Sequence, residues 1–106
     1  MTAPLLDVQI EELRLERIRI AALVRTLGER ELDGRLLRLT IETELRDRGT
    51  VKTEAEKLAK TDKRYLAHEE ESLKITYDRM VAEARAEAAR FNIQLQLAAL
   101  GRFETV

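Results

Sequence analysis

Apolar residues recur through the first half of the chain at alternating steps of three and four. They resume after a glycine-containing stretch with Leu37, Ile41 and Leu45, each four residues apart. This spacing places side chains on one stripe of an α-helix that packs against another helix. Arg17 is the one polar interruption of the first set, which consists of Leu6, Ile10, Leu13, Ile20, Val24 and Leu27. The first half therefore predicts a long helix with a coiled-coil-like seam.

A second apolar stripe follows a turn signal at Gly49 and Thr50. Glycine suits the left-handed position after a helix, and threonine is a residue type that begins the next one. Neither glycine nor proline then occurs until Gly101. The pattern predicts one second helix of about 50 residues. Its stripe comprises Leu58, Leu66, Leu73, Tyr77, Met80, Ala84, Ala88, Phe91, Leu95 and Ala98.

We therefore predict an all-α fold, a long antiparallel helical hairpin with coiled-coil-like packing. Two arms that rise equally bring residue i beside residue about 100 minus i, so the two apolar stripes meet. Gly28 and Gly34 interrupt good helix formers. Two alternatives stay open there, a continuous first arm or one that is kinked or split. One domain spans residues 1–106, with a first arm at 5–48, a turn at 49–50 and a second arm at 51–101.

Further apolar residues lie away from both predicted seams, near the open end of the hairpin. Exposed apolar patches usually mark association surfaces, and two helices alone bury little area. We predict assembly with other copies; a dimer, a tetramer, a hetero-complex and an exchange of arms between subunits are all compatible with the pattern. The predicted interface residues are Leu5, Val8, Leu15, Ile18, Ala22, Ile93, Leu97 and Leu100.

Charge is balanced over the chain but not around the turn. The 19 Lys and Arg residues face 20 Asp and Glu residues, so a net charge of -1 gives no general attraction to nucleic acid or to a membrane. On one continuous helix, Lys57, Lys60 and Arg64 share a stripe that could follow a phosphate backbone. The alternative is a solvated face with salt bridges. The candidate nucleic-acid residues are Arg35, Arg38, Lys52, Lys57, Lys60, Lys63 and Arg64.

The sequence offers no group of residues typical of catalysis or of a metal site. It has no cysteine, and its one histidine, His68, has Tyr65 three residues before it instead of the glutamate of di-metal helical bundles. We predict a protein that is not an enzyme and uses no metal, cofactor or small-molecule substrate. The chain shows neither a secretory signal pattern nor a long apolar run, so we expect no membrane contact and a cytoplasmic location.

Two single residues have a structural and a functional interpretation each. Arg17 either pairs with Glu87 across the hairpin and sets the register, or extends from the edge of the seam into solvent. Tyr77 lies on the predicted seam and is expected in the core. Tyr65 is then the aromatic residue expected to be exposed and able to stack on a base.

The run Glu44-Leu45-Arg46-Asp47-Arg48-Gly49-Thr50-Val51 lies between two charged helices, and the chain closes with an apolar stretch from Leu95 to Leu100. Over residues 36–103 this arrangement resembles small helical-hairpin proteins encoded by tailed bacterial viruses. The resemblance implies an accessory factor of viral DNA replication or recombination that acts in the host cytoplasm. It assigns no residue a role.

Our leading hypothesis is an oligomeric accessory protein whose basic turn contacts single-stranded DNA or a DNA-bound protein. The first alternative is a protein-interaction module, an inhibitor or adaptor that binds no nucleic acid. The second is a purely structural coiled-coil spacer, for which changes to Lys60 and Arg64 have no measurable effect.

Overall fold

Three α-helices form the described part of the chain. The structure, a computed structural model, describes the backbone of residues 3–104 and the side chains of residues 5–101. The helices are α1 (Ala3–Asp47), α2 (Lys52–Thr61) and α3 (Lys63–Glu104), and no strand occurs among these residues. The prediction of an all-α fold is confirmed.

The chain reverses between α1 and α2 at Gly49. This residue has a φ of 97°, which glycine adopts without steric cost. The amide of Thr50 donates to the carbonyl of Leu45 at 3.0 Å and closes the end of α1. The cap expected from Thr50 is not formed, because Val51 occupies the position before α2 and no side chain caps that helix.

The second arm is two helices, so the prediction of a single long helix was wrong. Asp62 separates α2 from α3 with an extended backbone, φ -64° and ψ 138°. Its carboxylate accepts a hydrogen bond from the amide of Arg64 at 2.8 Å. Aspartate competes for backbone amides in this way and is therefore favoured at the start of a helix over its interior.

Helix α1 runs without a break through Gly28 and Gly34, so the first arm is not split. The two glycines lie in different surroundings. A Cβ on Gly34 would lie 3.0 Å from Cε1 of His68, whereas one on Gly28 would meet no described atom within 4 Å. Gly34 therefore leaves room for the His68 side chain of α3 to approach α1 closely.

The chain divides into two compact units. Unit 1 combines residues 1–23 with 78–106, and unit 2 comprises residues 24–77. In each unit a segment of α1 lies antiparallel to a segment of α3. If the two arms rise equally, residue 30 is expected beside residue 70 and residue 9 beside residue 91. In the structure Arg30 contacts Ser72 in unit 2, and Gln9 contacts Gln96 in unit 1. The pairing is therefore close to the prediction but shifted by several residues.

The face that α3 presents to α1 also differs from the predicted one, so the predicted seam of the second arm was wrong. Six large apolar residues of that seam are 50 to 68% exposed, namely Leu66, Leu73, Tyr77, Met80, Phe91 and Leu95. The half-buried stripe in unit 2 includes Tyr65, His68 and Ser72, and in unit 1 it includes Ala86 and Ile93. The expectations for Tyr65 and Tyr77 are thus reversed.

Few side chains are fully buried. Among the described residues, the buried apolar side chains are Ile41, Ala55, Ala59 and Ala82. The first three belong to unit 2, where α2 lies beside the end of α1. Since three of the four are alanines, the helices approach closely there but remove little apolar area from water.

Candidate interaction surfaces

Four lysines near the turn of unit 2 are exposed. Ala55 and Ala59 are buried, so α2 turns Lys57 to the opposite side, into solvent. No ion pair to these lysines occurs within the described part of the chain. We refer to this set as the lysine surface: Lys52, Lys57, Lys60 and Lys63.

Arg64 does not extend this surface, contrary to the sequence prediction, because α2 ends before it. Its guanidinium donates to both carboxylate oxygens of Glu44 on α1, at 2.8 and 3.3 Å, and to Asp62 at 3.1 Å. These hydrogen bonds hold the pKa of the Glu44 carboxyl and that of the Asp62 carboxyl below their ordinary values, and raise the pKa of Arg64. Arg64 links α1 to the start of α3.

Two other predicted nucleic-acid residues also have carboxylate neighbours. Arg35 lies 2.7 Å from Glu31, and Arg38 lies 3.8 Å from Glu42. Arg38 and Lys60 line a shallow cavity of about 300 Å³ together with Glu42 and Glu56. A phosphate in that cavity would meet two carboxylates, which weakens the attraction of Arg38 and of Lys60 for an anion there.

Unit 1 exposes most of the predicted interface. Of the eight apolar residues predicted for this interface, five have large side chains that are 46 to 53% exposed: Leu5, Val8, Leu15, Ile18 and Leu97. Ala22 is exposed as well. Ile93 and Leu100 are different, because both are half-buried. They lie three residues before and four residues after Gln96, which forms a hydrogen bond with Gln9 of α1. Their assignment to an external interface stays a prediction.

The polar residues between the helices of unit 1 differ from the predicted ones. Arg17 is exposed at the edge of a groove of about 270 Å³, and the carboxylate of Glu87 bonds Arg90 instead. The predicted Arg17–Glu87 pair is therefore absent, and Arg17 extends into solvent as the alternative interpretation stated. Gln9 and Gln96 make the polar contact across the helices.

A second apolar face lies on α1 within unit 2, and the sequence reasoning missed it. Leu32, Leu36 and Leu39 are 54 to 58% exposed at steps of four and three. Thr43 continues the same spacing and lines a groove of about 350 Å³ with Leu36 and Leu39. We call Leu32, Leu36, Leu39 and Thr43 the α1 stripe. The sequence contains this spacing, but Leu37 and Ile41 already accounted for a helical seam in the same stretch.

The other exposed apolar face of unit 2 is on α3. Leu66, Leu73 and Tyr77 lie at steps of seven and four and are at least half exposed. We call these three residues the α3 face.

Comparisons with known proteins do not assign a family. No protein-family model, curated protein or solved structure matches this chain. Among the described residues, no helix is long and apolar enough to span a bilayer, and no group of three or more metal-ligating side chains occurs. The exposed apolar residues of both units and the lysine surface are therefore the features from which a function can be argued.

Proposed function

We propose that the chain is a helical interaction protein, which binds another protein through its exposed apolar faces and performs no catalysis. One observation carries this proposal: eighteen large apolar residues are exposed, while Ile41 is the one large side chain that is fully buried among the described residues. Apolar patches of this extent are typical of surfaces that a partner covers.

The α3 face is the part of unit 2 best suited to an external partner. Its residues lie along one helix, and Tyr77 brings an aromatic ring with a polar end, a residue type enriched at interfaces. An amphipathic helix of the partner, with apolar anchors spaced three and four apart, fits such a surface. An adaptor or inhibitor works by this kind of contact. The narrower proposal, that the partner is a viral DNA replication or recombination protein, rests on the sequence resemblance alone.

Site-specific photo-crosslinking in cells that produce the protein tests this proposal. A photoreactive phenylalanine at Leu73 is expected to give a discrete adduct with a different protein, identified by mass spectrometry. The matched control position is Lys74, which is also exposed but lies on another side of α3. The proposal fails if Leu73 gives no such adduct, or if Lys74 gives the same one.

The lysine surface supports a second candidate function, contact with single-stranded DNA. Four exposed lysines without ion pairs can neutralise phosphates and release counterions, which makes binding weaken as salt rises. We expect micromolar or tighter binding at low salt in fluorescence anisotropy. The double variant Lys57→Glu with Lys60→Glu removes it, whereas Lys74→Glu, elsewhere in unit 2, leaves most of it. An absence of binding at low salt excludes this candidate.

A further inference from the structure

We propose that the α1 stripe docks antiparallel on the α1 stripe of a second copy of this chain. This inference concerns a different surface from the α3 face and does not depend on what that face binds. It assigns a self-complementary contact to unit 2, centred between Leu36 and Leu39. Each copy would cover the leucines that the other leaves exposed.

The spacing of the α1 stripe is that of a coiled-coil seam with a charged residue at each end. Steps of three and four continue from Leu32 back to Glu29 and from Thr43 forward to Arg46. An antiparallel pair centred between Leu36 and Leu39 places Leu36 against the partner copy's Leu39. The same alignment places Leu32 against Thr43 and Glu29 against Arg46. One alignment thus pairs all six positions of each copy, as three kinds of pair that each occur twice.

The two threonines at or beside the α1 stripe, Thr43 and Thr40, use their hydroxyl hydrogens within α1. The hydroxyl of Thr43 donates to the carbonyl of Leu39 at 2.8 Å, and that of neighbouring Thr40 donates to Leu36 at 2.9 Å. Because each hydroxyl hydrogen is already used within α1, burial of these side chains against another helix leaves no donor unpaired. Both threonines can therefore join the three leucines in a dry contact.

Charge complementarity favours a second copy and an antiparallel orientation. Glu29 and Arg46 at opposite ends of the α1 stripe meet their opposites in an antiparallel pair, but a parallel pair would bring Glu29 to Glu29 and Arg46 to Arg46. Arg46 has no ion pair within the described residues. Glu29 forms an ion pair with Arg25 of the same helix but stays 64% exposed, so it can also meet a cation of a second copy. A net charge of -1 produces almost no repulsion between copies.

Sedimentation equilibrium from 5 to 500 µM at low salt tests the inference on the full chain. We expect the mass to rise with concentration from 12.2 kDa towards twice that value. The double variant Leu36→Glu with Leu39→Glu is expected to raise the dissociation constant at least about a hundredfold, because it buries unpaired charges. Leu58→Glu is the matched control and is expected to leave the dimer intact, since this leucine is also exposed in unit 2 but lies on α2. Circular dichroism verifies that each variant keeps its helices.

A charge exchange then tests the antiparallel alignment. Glu29→Arg and Arg46→Glu are each expected to weaken the dimer about threefold to tenfold, and the two changes together to restore it within about twofold. A monomer at every concentration overturns the inference, as does a dimer that is indifferent to the two glutamates at Leu36 and Leu39. Failure of the double charge exchange to restore the dimer also overturns it. None of these results affects a crosslink from the α3 face to another protein.

Discussion

Arg30 provides the sharpest test of how α1 and α3 are held together in unit 2. Its side chain is 20% exposed, and its guanidinium donates to the hydroxyl of Ser72 at 2.9 Å and to the backbone carbonyl of His68 at 3.0 Å. A longer contact of 3.4 Å reaches the carboxylate of Glu71. The substitution Arg30→Ala removes all three contacts.

The expected loss follows from these contacts. Two hydrogen bonds from a charged donor contribute about 1.5 kcal/mol or more each. The pair with Glu71 adds little, because that carboxylate is 68% exposed. Releasing the arginine from its ordered conformation returns about 1 to 2 kcal/mol. We therefore expect Arg30→Ala to lower the free energy of unfolding by about 2 kcal/mol.

Urea denaturation followed by circular dichroism at a fixed protein concentration measures this loss. Arg25→Ala is the matched control: Arg25 is 83% exposed and pairs with Glu29 along the same helix, so its loss is expected to stay below about 0.5 kcal/mol. Combining Arg30→Ala with Ser72→Ala should cost less than the two single changes together. Equal losses for the two arginines, or strict additivity with Ser72→Ala, would refute the reasoning.

Three further predictions concern the glycine contact and the junction of α2 and α3. Gly34→Ala lowers the melting temperature, because its new methyl group meets the His68 ring at 3.0 Å, whereas Gly28→Ala raises it through better helix propensity; melting curves of both variants that move together would contradict this. Asp62→Ala lowers the melting temperature by about 5 °C, since the start of α3 loses its cap, and Asp62→Asn recovers most of the loss. The contacts of Arg64 hold the pKa of both of its carboxylate partners below their ordinary values. The stability that these contacts contribute is therefore present above about pH 4.3 and is lost as the pH falls through the folded-state pKa values of the two carboxyl groups. We expect Arg64→Ala to remove this part of the pH dependence of the melting temperature between pH 7 and 3.

The sequence by itself determined the helical class and the place where the chain reverses. Good helix formers, with apolar residues at steps of three and four, fit an α-helix and no other regular structure. At the turn, Gly49 could take the left-handed conformation without strain. The level at which the arms meet followed only to within several residues, since two α-helices rise equally per residue but their contacts set the alignment. The lysines of α2 could likewise be recognised from the sequence alone.

Only the tertiary structure decided which faces meet. Helices α1 and α3 each carry more than one apolar stripe, so periodicity alone could not tell an internal seam from an external face. The choice was made by contacts between distant residues: the space at Gly34 admits His68, Arg30 bonds Ser72, and the small side chain of Ala82 is fully buried. Packing of this kind depends on shape and on pairs of polar groups across two helices, and a single helical pattern contains neither.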